Sequence, residues 1–193
     1  MPGPGIGVAV VGAGMAGRAH AAGYRGATTV YGGGLPDVRL VAVADVNERF
    51  AGETTRRFGY ARAETSWQAV AEAADVDVVS VVVANHLHRE VVEGLLAAGK
   101  HVLCEKPFAP TLADAEAMVA AAAARPDLRT GVGFTFRRSP AIAAVKRLVD
   151  DGSVGRPIFF NGHYWCAYAV EPTAPMSWRY KGGPGSGALS DIG

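Results

Sequence analysis

Six strand-forming residues near the amino terminus run straight into three spaced glycines: Ile6-Gly-Val-Ala-Val-Val-Gly-Ala-Gly-Met-Ala-Gly17. A helix-compatible segment, residues 15–22, follows. Few folds accept that order. Gly12 permits a tight turn off the strand, Gly14 lets the backbone approach a diphosphate, and Gly17 lets helix and strand pack closely. A helix opening at such a turn aims unpaired N–H groups and the positive end of its dipole at phosphate oxygens. Gly12, Ala13, Gly14, Met15, Ala16 and Gly17 are therefore the candidate diphosphate contacts. The glycine spacing alone is a weak signal in a chain with 25 glycines. It gains force from the strand before it, the helix after it and an acid at the end of the next strand.

That acid is Asp45, which closes the apolar run 38–44, a run of the kind buried between two helix layers. A carboxylate there accepts hydrogen bonds from the adenosine ribose and repels a 2′-phosphate, which favours NAD over NADP. The plainer reading is a turn aspartate at a strand end. Arg49, four residues on, is placed to face a 2′-phosphate, so NADP stays possible. Asp45 follows Gly17 by 28 residues, more than the about 20 of the shortest pattern. The glycine-rich stretch 23–36 is accordingly expected to be an inserted loop, which adds little closure entropy.

Periodicity predicts helices over 47–58, 66–73, 86–98, 111–124 and 141–150, and strands over 76–84, 101–104 and 129–136. Ser66 is placed to cap its helix, and Thr111 with Asp114 forms an approximate capping box. Strands alternating with helices mean right-handed crossovers and a doubly wound, parallel α/β sheet of the Rossmann type, covered on both faces. The rhythm changes near residue 137. Beyond it come an aromatic-rich strand over 157–168 and a turn-rich stretch over 172–187. Residues 1–137 read as a dinucleotide-binding domain, and 138–193 as the incomplete start of an α/β substrate and oligomerisation domain, too short for a comfortable core of its own.

A net charge of +1 leaves no electrostatic footprint for nucleic acid or an anionic membrane. The two cysteines, Cys104 and Cys166, lack metal or redox spacing. The amino terminus lacks the basic start and apolar core of a signal peptide, and no run approaches the ~18 apolar residues of a membrane span. The expectation is a soluble, cytoplasmic protein with no nucleic-acid or membrane partner and no metal.

Glu105-Lys106-Pro107 leaves a predicted strand at the sheet's carboxyl edge, where open α/β folds bind ligands. A lysine there can hydrogen-bond a substrate hydroxyl and stabilise the developing alkoxide; a surface lysine in a proline-ended turn is the alternative. His88 lies on its helix's apolar face with Val91, Val92 and Leu95, and reads equally as a core histidine or a cofactor contact. His86 and His88, two apart, do not share a face as metal ligands would. Cys104 beside Glu105 reads as a small buried apolar residue, since a neighbouring carboxylate disfavours thiolate. His163, Tyr164, Trp165 and Tyr168 are packing residues of a strand or a stacking surface for a sugar. Residues 181–185 follow no strand and read as a turn.

Gly99-Lys-His-Val-Leu-Cys-Glu-Lys-Pro107, after the glycine turn and Asn85-x-x-His88, resembles the glucose–fructose oxidoreductase/inositol dehydrogenase/rhizopine-catabolism (Gfo/Idh/MocA) family. The likeness continues through Phe136-Arg137, Pro140, Gly152-Ser-Val-Gly155 and Trp178-Arg179. It ends in Gly185-Ser-Gly-Ala-Leu-Ser-Asp-Ile-Gly193, similar to the family's Gly-Gly-Gly-x-Leu-x-Asp-x-Gly-x-His segment. The resemblance implies hydride transfer between NAD or NADP and a hydroxyl or keto carbon of a sugar or cyclitol. It implies Lys106 as the catalytic lysine, Glu105 beside the nicotinamide, and Asp191 as the acidic partner of the family's catalytic histidine. Asp45 with Val46, then Ala84, Asn85 and His88, and the pair Trp178 and Arg179 fall at positions bordering the cofactor. A cis peptide before Pro107 and homo-oligomeric full-length relatives are also implied. The family histidine would fall two residues past Gly193, so a C-terminally truncated member is expected, with Asp191 near a fraying end. A nucleotide-binding fragment without turnover and a regulator that senses NAD(H) are the rival readings.

Overall fold

The computed structural model describes residues 5–165, 167, 170–176, 180–183 and 186–191. Six parallel strands form one sheet: β1 (Ile6–Val11), β2 (Val38–Ala44), β3 (Arg62–Glu64), β4 (Val78–Val81), β5 (His101–Cys104) and β6 (Thr130–Val132), in the order β3-β2-β1-β4-β5-β6. The chain winds outward from β1 through β2 and β3, then returns to β1's other side and winds out through β4, β5 and β6. The reversal leaves a switch point between β1 and β4. The connections that leave their carboxyl ends run to opposite faces of the sheet, and open sheets bind ligands in the crevice between them.

Side chains alternate across the sheet with period two. Val8, Val10 and Val43 pack on one face against Ala21 and Tyr24 of α1 (Met15–Tyr31) and Phe58 of α2 (Glu48–Phe58). Ala9, Val11, Val79, Val81 and Val102 pack on the other. Their partners are α3 (Trp67–Glu72), α4 (His88–Ala97) and α5 (Leu112–Ala123), chiefly through Val70, Leu95, Leu96 and Met118. Each buried Val, Leu or Met among them contributes roughly 1.5–3 kcal/mol by leaving water, so the two faces hold the crossovers tightly. The helix starts follow from local chemistry. Asn47 accepts from the amides of Arg49 and Phe50, Ser66 from that of Ala69, and Thr111 from that of Asp114, each cap being worth about 1 kcal/mol.

Four expectations change. The stretch 23–36 is not a loop: α1 continues to Tyr31 and ends in a 3-10 turn, Gly32–Gly34. Gly23 and Gly26 cost helix propensity, about 1 kcal/mol each. Tertiary bonds offset this, because Tyr24 hydroxyl meets Ser80 and Arg25 donates to the Phe58 carbonyl at 2.9 Å. β3 was not expected; its three residues gain strand structure only from pairing with Ala42–Ala44 of β2. The strands over 76–84 and 129–136 shorten to β4 and β6, the latter followed by a 3-10 turn, Thr135–Arg138. No strand forms over the described residues of 157–168, where Ile158, Phe159, Phe160 and Trp165 stand exposed. A strand needs a partner to satisfy its backbone, and none lies beside this segment among the described residues.

Helix α6 (Pro140–Asp150) forms as its periodicity implies, with Ile142, Val145, Leu148 and Val149 exposed. A short helix α7 (Ala188–Asp191) closes the described chain. Among the described residues no helix is long and apolar enough to cross a membrane.

Candidate active site at the sheet switch point

The three glycines differ in what a side chain would meet. Gly12 has φ +103°, and an added Cβ would run into the Val82 backbone, with its carbonyl carbon 2.7 Å away. At Gly17 the added Cβ would strike the Gly12 carbonyl, whose carbon would lie 2.8 Å off. Gly14 has nothing within 4 Å and faces open space. Helix α1 starts at that opening with no side-chain cap and no acid in its first turn. Its terminal amides and dipole are thus left to an outside anion. Met15 and Ala16 are exposed beside it, whereas Ala13 is buried and its amide is committed to Asp45 Oδ2 at 2.7 Å.

A groove of about 620 Å³ runs from Gly12 and Gly14 past Asp45 and Val46 to Trp67 and Ala84. Asp45 is half-buried in its wall. Its Oδ1 accepts from the Asn47 amide at 2.8 Å while Oδ2 holds the Ala13 amide. It is therefore a turn aspartate and a brace for the glycine turn together. Arg49 does not face the groove's carboxylate; its Nε donates to Glu53 Oε1 at 2.7 Å, and Arg18 reaches the same carboxylate at 3.6 Å.

Glu105-Lys106-Pro107 lies outside the lining of this groove and leaves β5 with a cis Lys106–Pro107 peptide. Lys106 Nζ donates to the Asp191 carbonyl at 3.0 Å and to Asp191 Oδ1 at 3.2 Å. Asp191, 85 residues away in sequence, is 7% exposed. Glu105 Oε2 accepts from the Lys106 amide at 3.1 Å. Burial raises its carboxyl pKa, but the hydrogen bond from His20, the bond from the Lys106 amide and the nearby Lys106 charge outweigh burial and hold it below the usual carboxylate range.

Asn85 is buried in the 3-10 turn Asn85–Leu87 at the groove's edge. His88 is 1% exposed, and its nitrogens meet the Pro107 carbonyl at 3.0 Å and that of Val83 at 3.2 Å. The ring joins the end of β4 to the segment after Lys106 and is closed off as a core pin. Burial lowers its pKa more than the bonds to Phe108, Val83 and Pro107 and the Glu105 charge raise it. The Cys104 thiol is pushed up to about 12 by burial and the Glu105 charge, so it is a packed thiol. Tyr164 and Trp165 are exposed rather than packed. Trp178, Arg179, Cys166 and Tyr168 lie outside the described residues.

Residues 6–134 match the sequence profile of the Gfo/Idh/MocA oxidoreductase family, NAD-binding Rossmann fold. The chain belongs to this family. Residues 142–193 match the family's C-terminal domain profile. Over 190 residues the chain is 36% identical to levoglucosan dehydrogenase of Pseudarthrobacter phenanthrenivorans, covering 97% of this chain and 48% of that one. It is 33% identical over 162 residues to D-apiose dehydrogenase of Paraburkholderia graminis, covering 84% of this chain and 41% of the relative. Among solved structures, levoglucosan dehydrogenase in complex with NADH and levoglucosan superposes with a TM-score of 0.88 at 34% identity, over 97% of this chain and 50% of that one. The chain spans about half the length of the curated relatives it matches.

Within this Gfo/Idh/MocA chain the sequence reading overlooked a buried polar cluster. His20 and Tyr24 of α1 both reach Ser80 of β4, and His20 also reaches Glu105. One signal was available. Ser80 is the lone hydroxyl in the apolar run Val78 to Val83, and a hydroxyl inside a sheet requires a partner.

Proposed function

We propose that this chain supplies the cofactor half and the catalytic lysine of an NAD-dependent dehydrogenase acting on a sugar or cyclitol. Residues 1–137 would form the cofactor domain and 138–193 the start of the substrate domain; the two profile matches, ending at 134 and starting at 142, support that division. The observation that carries the reading is the Lys106–Asp191 pair, joined across 85 residues at the carboxyl edge of the sheet.

The residues suit a dinucleotide. The uncapped start of α1 and the open space at Gly14 suit a diphosphate, and the Asp45 carboxylate suits ribose hydroxyls. Asp45 would repel a 2′-phosphate, and Arg49 is engaged by Glu53, which together favour NAD. When bound, the nicotinamide accepts or supplies the hydride. Lys106 Nζ directs two N–H groups to Asp191. An ammonium has three donors, which leaves one for a substrate oxygen. That donor would stabilise negative charge developing on the substrate oxygen. Asp191 orients the ammonium, and Glu105 holds the backbone of Lys106. Val46, Ala84, Asn85, Trp178 and Arg179 are proposed as the remaining border of the cofactor.

The test is calorimetric titration with NADH and NADPH, joined to dehydrogenase assays of the full-length protein over levoglucosan, inositols and pentoses. Lys106→Ala is expected to lower turnover by ~10²–10⁴ while NADH affinity stays within about threefold. Equal loss of turnover and affinity would overturn the role of Lys106. NADH binding without turnover on any sugar or cyclitol would favour a nucleotide-binding protein.

A further inference from the structure

Helix α1 begins at the glycine turn, and His20 comes one turn after Gly17 on its sheet-facing side. Its side chain is 14% exposed and that of Glu105 is 13% exposed. Four polar side chains line up under the sheet edge. Tyr24 hydroxyl lies 2.9 Å from Ser80 Oγ, Ser80 Oγ lies 3.0 Å from His20 Nδ1, and His20 Nε2 lies 3.0 Å from Glu105 Oε1. The other carboxylate oxygen, Oε2, accepts from the Lys106 amide at 3.1 Å.

Donor bookkeeping orders this chain. An ionised carboxylate only accepts, so the Glu105 contact requires the hydrogen on His20 Nε2. In that tautomer Nδ1 accepts from Ser80, and Ser80 accepts from Tyr24. Each hydroxyl then donates once, and no two lone pairs meet. The reverse tautomer sets a nitrogen lone pair against the carboxylate. Glu105 also has little room to turn: a Cβ on Gly133 would stand 2.5 Å from Oε1, so the backbone after β6 closes over the carboxylate. A carboxylate so enclosed must keep its donors or leave the site.

We propose that His20 is a positioning residue: its Nε2–H holds Glu105 against the Lys106 amide, tying the helix that opens at the diphosphate seat to the segment that carries Lys106. The role rests on the function proposed above, since it matters for catalysis only if Lys106 acts on substrate. Without the imidazole, Glu105 loses its only side-chain donor among the described residues. It then turns outward or takes a proton, and the Lys106 backbone is released. Displacement of a reacting group by about 1 Å can lower turnover by up to about 100-fold.

Three measurements test this. The ¹⁵N spectrum of the parent chain should show His20 protonated at Nε2; protonation at Nδ1 alone overturns the proposal and needs no variant. Next, ¹³C titration of the Glu105 carboxyl should shift its midpoint upward in His20→Ala and return it toward the parent in His20→Gln, whose amide offers an N–H near the place of Nε2. The Lys106 amide resonance should move with it. Finally, in the full-length protein His20→Ala should lower kcat by about 10- to 100-fold, with KM and the NADH Kd within about threefold, and His20→Gln should recover most of the loss. An unmoved Glu105 titration, or a glutamine variant as impaired as the alanine one, overturns the positioning role. Failure of the parent to bind NADH would overturn the functional reading, while the two spectroscopic arms would still decide the role of His20.

Discussion

Gly14 and Gly17 lie three residues apart on one turn, yet alanine at each should do opposite things. At Gly17 the new Cβ meets the Gly12 carbonyl, with its carbon at 2.8 Å against the 3.4–4 Å of ordinary contact. The carbonyl cannot yield, because Gly12 sits at φ +103° with Val82's backbone directly behind it. Helix α1 must instead retreat from β1 by on the order of 1 Å, loosening Ala21 and Tyr24 from Val8 and Val10. Overpacking of this kind costs about 1–3 kcal/mol or more. At about 2–4 °C per kcal/mol for a chain of this size, Tm should fall by about 6–12 °C at the upper figure. Gly14 has φ −68° and empty space around it, so Gly14→Ala should change stability by less than about 0.5 kcal/mol. Its methyl, however, stands where a diphosphate would approach. A misfit of about 1–3 kcal/mol there raises the NADH Kd by about 5- to 150-fold. Thermal melts and NADH calorimetry on both variants decide the matter. If Gly17→Ala melts within about 2 °C of the parent, or Gly14→Ala binds NADH as tightly as the parent, the reasoning about this turn is wrong.

Two further outcomes are expected. His88 has a folded-state pKa below the ordinary ~6.5. Below about pH 6.5 the unfolded chain therefore binds the extra proton first, and stability falls as pH drops from there toward the folded value, by at most about 1.4 kcal/mol per pH unit. Urea unfolding at pH 7.5 and 5.5 should show this slope in the parent and a flatter one in His88→Gln; equal slopes would exclude His88 as its source. Asp45→Asn keeps an acceptor for the Ala13 amide but removes the charge, so it should narrow the NADH-over-NADPH preference by about tenfold, the effect of roughly 1.4 kcal/mol. An unchanged ratio of the two Kd values would remove Asp45 from cofactor selection.

The strand-turn-helix opening, the parallel α/β class, the caps at Ser66 and Thr111 and the candidate status of Lys106 were all legible in the sequence. Each rests on chemistry within a few residues, where side-chain type alone determines which backbone conformations are cheap. Tertiary structure decided the rest. Residues 23–31 became helix because Tyr24 and Arg25 found partners 56 and 33 residues away. Arg62–Glu64 became strand because β2 offered an edge, and the aromatic run over 157–165 did not because, among the described residues, no edge lay beside it. His88 is buried with three carbonyls converging on its ring, a convergence set by distant backbone. Asp191 met Lys106, and His20 met Glu105, across about 85 residues each. Hydrogen bonds between distant side chains depend on how crossovers stack on a sheet, and that stacking is a property of the whole packed core rather than of any local run of residues.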